Sequence, residues 1–256
     1  MSFFAQLTNA HALVVGASQG IGLGFVNALL QQPAIERLYA TYRTPETAAG
    51  LKALAEAFPQ RLQLVQMDVT QTAQIQTGVA HIQAESKTLH FVINCVGVLH
   101  QGELQPEKAL RQIETEQLLH YFQVNSLPTV LLAKHLMPLL KHSDRSIFAT
   151  ISAKVGSIGD NHLGGWYGYR ASKAAQNMFL RTAALEYGRR SPNTTLVALH
   201  PGTTDTRLSE PFQRNVPPEK LFSVERTVGQ LIAVIDQLDT KDSGQFFSWD
   251  GSRLPW

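Results

Sequence analysis

The segment Leu13-Val14-Val15-Gly16-Ala17-Ser18-Gln19-Gly20-Ile21-Gly22 joins a short apolar run to a helical pattern. Its glycines allow a tight turn in which the backbone can approach a pyrophosphate closely. The free N–H groups and the positive dipole end of the following helix attract such an anion. We therefore expect a dinucleotide to bind at this turn, against Gly16, Ser18, Gln19, Gly20, Ile21 and Gly22.

The spacing G-x-x-x-G-x-G differs from the G-x-G-x-x-G of the commonest dinucleotide-binding fold, and a glycine-rich turn alone is weak evidence. Its context is the stronger signal, because strand-like apolar runs alternate with helical patterns along the whole chain. Strands are predicted at His11–Val15, Arg37–Tyr42, Leu62–Met67, His90–Asn94, Ser146–Ile151, Thr195–His200 and Gln245–Trp249. Helices are predicted at Ile21–Gln31, Glu46–Phe58, Thr72–Glu85, Glu107–Leu119, Phe122–Leu140, Tyr169–Tyr187 and Ser223–Leu238.

This alternation predicts a single-domain α/β fold, a Rossmann-type doubly wound parallel sheet of about seven strands with helices on both faces. We expect one domain over residues 1–256. The cofactor half would span about 1–150, and the catalytic half with its substrate loops about 151–256.

The composition narrows the class of protein. The chain has 256 residues, 44% hydrophobic and 16% charged, with a formal net charge of +2. That balance argues against nucleic acid or an anionic membrane as the main partner. The single cysteine, Cys95, excludes an internal disulfide and a cysteine-rich zinc site. Because we find neither a signal-peptide pattern nor an apolar run of about 18 residues, we expect a cytoplasmic protein without a membrane span.

The segment Tyr169-Arg170-Ala171-Ser172-Lys173 lies in the longest predicted helix. Side chains four residues apart share a helix face, so the Tyr169 hydroxyl and the Lys173 ammonium can point into one cleft. A nearby cation favours the phenolate, and we expect Lys173 to lower the pKa of Tyr169. A phenol tuned in this way can exchange a proton with a carbonyl oxygen. The plain alternative is a packed tyrosine with a solvated lysine.

The predicted second strand ends in Ala40-Thr41-Tyr42-Arg43. About 20 residues after the glycines, an NAD site has a carboxylate that binds the ribose 2′-OH. Thr41 stands near that position, and Arg43, whose guanidinium can bind a 2′-phosphate with two hydrogen bonds, follows it. The sequence therefore favours NADP(H) over NAD(H), unless Arg43 is only a solvated loop charge.

Three motifs occur in order, namely Gly16-x-x-x-Gly20-x-Gly22, Asn94-Cys95-Val96-Gly97 and Tyr169-x-x-x-Lys173. Together they resemble the short-chain dehydrogenase/reductase family over nearly the whole chain. The Tyr169 and Pro201 regions are most similar to those of sniffer-like carbonyl reductases and bacterial C-factor proteins. The resemblance implies an NADP(H)-dependent oxidoreductase that transfers a hydride between the nicotinamide and a small carbonyl or alcohol.

The resemblance also implies a role for each matching residue. Tyr169 would be the general acid or base, Lys173 would bind the nicotinamide ribose, and Asn125 would complete a proton relay through water. Asp68 and Val69 match the adenine contact. The remaining cofactor contacts would come from Asn94, Gly97, Pro201, Gly202, Thr204 and Thr206.

The family's catalytic serine has no straightforward match. Members carry it three residues before a glycine, and counting back from Gly156 gives Ala153, with Ser152 one step early. Neighbouring residues of a strand point to opposite faces. Either the loop bulges and Ser152 polarises the carbonyl, or Ser157 does so, or the site lacks a hydroxyl. Ser152 is the residue that we predict.

Three connections are expected to form the substrate walls, namely Val98–Leu104, Ser157–Trp166 and Thr203–Leu221. Their apolar residues Trp166, Phe212, Leu163 and Leu208 suggest a smallish apolar aldehyde or ketone, although each could equally belong to the core. We predict no metal site, because the spacing of His162 and His200 fits no ligand pattern.

Two rival interpretations stay open. One is a dinucleotide-binding signalling or regulatory protein with little turnover, which the C-factor resemblance and the displaced serine both allow. The other is the extended, epimerase-like branch of the family. Its members carry a sizeable extra C-terminal substrate region, whereas this chain ends at Trp256, soon after the last predicted strand. Family members pair through the helices that correspond to those of Asn125 and Tyr169, which implies a homodimer or homotetramer.

Overall fold

A computed structural model describes residues 2–256. The strands are β1 (Ala10–Val15), β2 (Ile35–Tyr42), β3 (Leu62–Gln66), β4 (Phe91–Asn94), β5 (Ser146–Ile151), β6 (Thr194–His200), β7 (Thr203–Thr204), β8 (Leu221–Phe222) and β9 (Gln245–Ser248). Seven of them form one parallel sheet in the order β3-β2-β1-β4-β5-β6-β9, and β7 pairs with β8. The predicted doubly wound parallel sheet is confirmed. Its strand order reverses between β1 and β4, where α/β sheets bind ligands beyond the carboxyl ends of the strands.

Helices cover both faces of the sheet. They are α1 (Gly20–Leu30), α2 (Ala49–Ala57), α3 (Thr72–Glu85), α4 (Thr115–Tyr121), α5 (Leu127–Leu140), α6 (Tyr167–Arg190) and α7 (Val224–Gln237). Apolar residues of α1, α2 and α7 form one buried core against the sheet, and those of α3, α5 and α6 form a second core on the other face. The central strands are apolar on both sides because both sides are buried.

The predicted helix over Glu107–Leu119 is only half right. The structure has a single 3-10 turn at Leu110–Gln112, and α4 begins at Thr115. The Gln112 side chain accepts hydrogen bonds from the backbone N–H groups of Lys108 and Ala109, and these bonds stabilise a local turn. The backbone carbonyl of Glu107 is bonded to Trp166 instead of to a helix of its own.

Helices α4 and α5 are joined by a five-residue π-helical segment, Phe122–Ser126. Pro128 lies in the first turn of α5, where its missing N–H costs little. The helix continues past Pro138 to Leu140. Among residues 2–256, no helix combines the length and the apolar character needed to cross a bilayer.

Candidate functional site

The predicted site residues follow the carboxyl ends of β1, β4, β5 and β6. Because these strands are parallel neighbours, their carboxyl ends meet at one edge of the sheet. The glycine turn follows β1, Asn94 ends β4, and Pro201 follows β6. The helix α6 runs alongside and brings Tyr169 and Lys173 to the same edge.

The glycine turn after β1 leaves no room for side chains. Gly16 has φ +75°, and a Cβ atom on Gly22 would lie 2.1 Å from the Gly16 carbonyl oxygen. Thr41 fixes the turn, since its Oγ1 accepts from the Gly16 N–H (2.9 Å) and its carbonyl accepts from the Ala17 N–H (2.8 Å). Thr41 therefore stands near the position where an NAD site has its carboxylate, and its role in this structure is to hold the glycine turn.

Helix α1 begins immediately after this turn without a side-chain cap. Its N-cap residue, Gln19, makes no capping hydrogen bond, so the first-turn N–H groups remain available to an anion. A Cβ on Gly20 would lie 3.3 Å from the Thr206 methyl group, which brings the loop after β6 against the glycine turn. Ser18 is half-buried beside it, and Ile21 packs at the edge of the core.

The residues predicted to bind the adenosine end lie after β2 and β3. Arg43 is exposed, and its guanidinium makes no ion pair with any residue in 2–256. Asp68 is held by its own turn, because its Oδ1 accepts from the Thr70 N–H (2.9 Å) and hydroxyl (2.7 Å). Val69 beside it is buried. A free guanidinium at this edge fits a phosphate group.

Asn94 is a buried structural link at the end of β4. Its Nδ2 donates to the hydroxyls of Thr129 and Thr150, both at 3.3 Å, and its Oδ1 accepts from the Val96 N–H at 3.1 Å. These bonds shape the turn that leads to Gly97. A Cβ on Gly97 would lie 3.5 Å from the Lys173 Nζ, so the turn passes directly over that amine.

Asn125 lies within the π-helical segment, a feature that often marks a functional site. Its Oδ1 accepts from the Val98 N–H (2.7 Å), and its Nδ2 donates to the Val98 carbonyl (2.9 Å) and to the Ser172 hydroxyl (3.0 Å). Its Oδ1 also lies 3.6 Å from the Cβ position of Gly97. The structure thus brings Asn125, Gly97 and Lys173 together.

Tyr169 and Lys173 are both buried, with exposures of 6% and 3%. The Lys173 Nζ lies 6.0 Å from the centre of the Tyr169 ring. It donates to the carbonyl of Ile151 (3.0 Å) and to Oε1 of Gln176 (2.9 Å). The plain alternative of a solvated lysine is therefore wrong, because this amine lies inside the protein and donates to two protein acceptors.

The predicted effect of Lys173 on the phenol is wrong as well. Burial raises the pKa of Tyr169 above its ordinary value, and burial lowers the pKa of Lys173 to about 7. Desolvation by burial is the main cause of both shifts, and the amine donates to Ile151 and Gln176 and not to the phenol. The phenol is consequently protonated at neutral pH, which is the form that can act as an acid.

The serine prediction needs correction. The Ser152 hydroxyl is buried and donates to Asn177 Oδ1 at 2.7 Å, two helical turns beyond Tyr169 on α6. Ala153, not Ser152, packs with the apolar cluster of Tyr169. The Ser157 hydroxyl accepts from the Asp160 N–H at 3.1 Å. Neighbouring residues of an extended chain point to opposite sides, which agrees with the bond of Ser152 to Asn177 and the packing of Ala153 with the cluster.

An apolar wall with three aromatic rings surrounds Tyr169. The cluster contains Val98, Leu99, Leu104, Tyr121, Val124 and Tyr169, with Val96, Ala153, Val155, Trp166, Leu208 and Phe212 packed against it. The Trp166 ring meets those of Tyr169 and Phe212 edge-to-face at 6.1 and 5.0 Å. The structure places Trp166, Phe212 and Leu208 here as predicted, whereas Leu163 is 93% exposed.

The Pro-Gly turn after β6 contributes to the site mainly through its backbone conformation. Gly202 has φ +73°, and a Cβ there would lie 2.6 Å from the Phe222 ring. The Thr204 hydroxyl is buried and bonded to that of Thr227 on α7 (2.8 Å). The Thr206 hydroxyl donates to the Thr204 carbonyl (3.4 Å). Of these two hydroxyls, that of Thr206 lies nearer to the glycine turn.

Sequence reasoning missed three potential metal ligands, His90, His142 and Asp144, whose ligand atoms lie within 4.8 Å of one another. They precede β4 and β5, at the edge opposite to Tyr169. The His11 N–H donates to His90 Nδ1 (3.2 Å), so the proton of the neutral ring is on Nε2, which faces Asp144 at 3.6 Å. That tautomer places a protonated Nε2 beside the carboxylate, which is a polar contact and not the arrangement of a metal ligand.

A family model for short chain dehydrogenase matches residues 10–217. The NADPH-bound carbonyl reductase from chicken fatty liver is 29% identical, with a TM-score of 0.83 over 98% of this chain and 100% of that one. The carbonyl reductase Sniffer of D. melanogaster is 26% identical, with a TM-score of 0.85 over 97% of this chain and 100% of that one. C-signal of Myxococcus xanthus is 30% identical over 58% of this chain and 84% of its own.

Proposed function

Because the chain belongs to the short-chain dehydrogenase family, we propose that it transfers a hydride between NADP(H) and a small apolar carbonyl or alcohol. Tyr169 would be its general acid or base. The observation that carries this proposal is the meeting of Tyr169, Lys173, Asn125 and Gly97 at the carboxyl edge of the sheet.

The residues present fit NADP(H). The Gly16–Gly22 turn is tightly packed at Gly16 and Gly22, where only glycine fits, and the uncapped start of α1 offers N–H donors to a pyrophosphate. Arg43, exposed and without an ion pair in 2–256, would bind the 2′-phosphate, and Asp68 with Val69 would flank the adenine. NADPH-bound relatives support the same choice. When bound, NADPH supplies the hydride, and the protein supplies position and electrostatics.

Tyr169 would hold the proton that the reduced carbonyl oxygen takes up. With its pKa raised, the phenol is protonated at neutral pH, the form that donates a proton when a carbonyl is reduced. Lys173 has a pKa of about 7. It would contact the nicotinamide ribose and carry a positive charge in the site when it is protonated. Asn125 would hold the turn at Val98 and complete the relay. Ser152 is not assigned to the carbonyl, since its hydroxyl is bonded to Asn177.

The substrate would meet an apolar surface. Trp166, Phe212 and Leu208 pack with the apolar cluster of Tyr169, and the charged residues near it, Lys173 and Glu107, are buried and hydrogen-bonded to the protein. A planar or apolar aldehyde or ketone fits such walls better than a charged acid does.

The direct test is NADPH and NADH oxidation by the purified protein across a panel of carbonyl compounds. We expect NADPH-dependent reduction of apolar aldehydes or ketones and weaker activity with NADH. NADPH binding without reduction of any carbonyl would instead favour a dinucleotide-binding signalling protein. That second function has two supports, namely the similarity to C-signal and the absence of a hydroxyl at Ala153.

The remaining expectations belong to the same proposal. We propose a cytoplasmic enzyme in which residues up to about 150 mainly bind the cofactor and the later residues carry Tyr169 and the substrate loops. A dimer or tetramer would form through α4, α5 and α6. Leu119, Leu127, Met178 and Leu185 on these helices are 65%, 41%, 66% and 56% exposed, an apolar surface that pairing would cover. Light scattering after gel filtration would measure the state of assembly.

A further inference from the structure

Glu107 is a buried carboxylate for which the proposed chemistry has no use. It is 2% exposed and makes no ion pair with any basic residue in 2–256. Its Oε2 accepts from the Gly168 N–H at 3.1 Å, whereas its Oε1 is buried and has no hydrogen-bond partner among residues 2–256. Gly168 immediately precedes Tyr169. A carboxyl group is therefore buried one residue from the proposed acid and faces the start of α6.

The first N–H groups of α6 need a hydrogen-bond acceptor from another segment of the chain. Its N-cap residue is Trp166, which has no side-chain acceptor and makes no capping bond. Trp166 also adopts φ 52° and ψ 43°, a left-handed conformation that bulky residues avoid. Such a conformation persists only where the surroundings determine it from several sides. Glu107 does this twice, because its backbone carbonyl accepts the Trp166 N–H and its carboxylate accepts the Gly168 N–H.

The turn held in this way orients two rings of the site. Trp166 places its indole edge-to-face against Tyr169 and Phe212. Gly168 has no room for a side chain, because a Cβ there would lie 2.4 Å from the Tyr121 ring and 2.9 Å from Glu107 Oε1. Both glutamate and ring thus approach the helix where it carries Tyr169.

We propose that Glu107 is a positioning residue: supplied from the connection after β4, it caps α6 and fixes the orientation of Tyr169 and Trp166. Its carboxylate acts by accepting the Gly168 N–H, with the positive end of α6 compensating its charge. This inference rests on the proposed function, since it assigns a purpose to the geometry of Tyr169.

Two pairs of variants test it. Glu107→Ala removes the acceptor and Glu107→Gln keeps it without the charge, with Glu103→Ala, exposed on the same connection, as control. Gly168→Ala pushes the Glu107 carboxylate and the Tyr121 ring away, and Gly188→Ala is its control in the same helix, where a Cβ meets nothing within 4 Å. A merely structural account predicts that Glu107→Ala and Gly168→Ala lower the stability of the protein without a change in kcat, whereas Gly188→Ala only adds helix propensity.

We expect Glu107→Ala and Gly168→Ala to lower kcat about 10- to 100-fold with KM for NADPH nearly unchanged, because small displacements of an acid are costly. Glu107→Gln should stay within about threefold of the parent, as its amide oxygen still caps the helix. A folded Glu107→Ala with parental kcat would overturn the proposal, and so would a Gln variant as poor as the Ala variant. If Glu107→Ala does not fold, Gly168→Ala and Glu107→Gln decide by the same criteria.

Hydrogen exchange separates this inference from the proposed function. The Gly168 amide should exchange slowly in the parent and in Glu107→Gln, and much faster in Glu107→Ala. This readout needs no substrate, so it decides the capping even if the parent reduces no carbonyl. Equal exchange in the parent and in Glu107→Ala would overturn the cap.

Discussion

Replacing Lys173 with methionine tests the electrostatics of the site. Burial lowers the pKa of this lysine from 10.5 to about 7 on folding. Between these values the unfolded chain holds a proton that the folded protein lacks, so the free energy of unfolding rises with pH. The slope from this one group approaches about 1.4 kcal/mol per pH unit, and the whole effect is on the order of 5 kcal/mol. Below the pKa of about 7 that Lys173 has in the folded protein, the destabilisation caused by burying the charged amine is constant.

Other buried groups act in the opposite direction at higher pH. Burial raises the pKa values of one thiol and four phenols, so their contribution to stability falls as pH rises above the ordinary values of 9.0 and 10.0; these are Cys95, Tyr39, Tyr121, Tyr169 and Tyr187. The comparison therefore belongs between about pH 7 and pH 8.5. Subtracting the variant's free energy of unfolding from that of the parent removes the contribution of the groups that both proteins contain.

The assay is urea unfolding followed by far-UV circular dichroism, on the parent and on Lys173→Met. Methionine leaves the Ile151 carbonyl and Gln176 Oε1 without their donor, a cost that does not depend on pH in this window. The parent-minus-variant difference should grow by about 1–2 kcal/mol from pH 7 to 8.5. Parallel pH curves would refute the burial of a titrating amine.

Three further changes probe the cofactor site and the missing hydroxyl. Gly22→Ala would place a Cβ 2.1 Å from the Gly16 carbonyl oxygen, so the Kd for NADPH should rise at least about tenfold, while Gly229→Ala, which meets nothing within 4 Å, should bind normally. Arg43→Asp should raise KM for NADPH and shift preference toward NADH; an unchanged KM would exclude Arg43 as the 2′-phosphate ligand. Ala153→Ser adds a hydroxyl at the edge of the apolar cluster that contains Tyr169, and kcat for carbonyl reduction should rise up to about tenfold. Unaltered kcat would show that the substrate oxygen lies beyond its reach.

The parts of the fold that repeat a local pattern were predictable from sequence. The run Leu13-Val14-Val15 is apolar throughout because β1 is buried on both faces, and the glycines after it are required by the contact between Gly22 and Gly16. The four-residue spacing of Tyr169 and Lys173 was enough to place both side chains in one buried region. These features depend on neighbours in the chain, which the sequence shows directly.

The errors concern partners that are distant in the chain. Glu107 looks like a helix residue, but its bonds go to Trp166 and Gly168, about 60 positions later. The sequence offered Ser152 as the hydroxyl nearest to the expected place, yet its bond to Asn177 draws it onto α6. Helical spacing also could not show how deeply Lys173 is buried, and burial decides the sign of the pKa changes.

The most direct test of the whole account is a comparison of Tyr169→Phe with Tyr167→Phe, two losses of a phenol hydroxyl on the same helix. NADPH binding, followed by fluorescence, should be retained in both. Carbonyl reduction should fall by about 10²–10⁴-fold in Tyr169→Phe alone. Parental turnover in Tyr169→Phe would contradict the central claim that this phenol donates the proton.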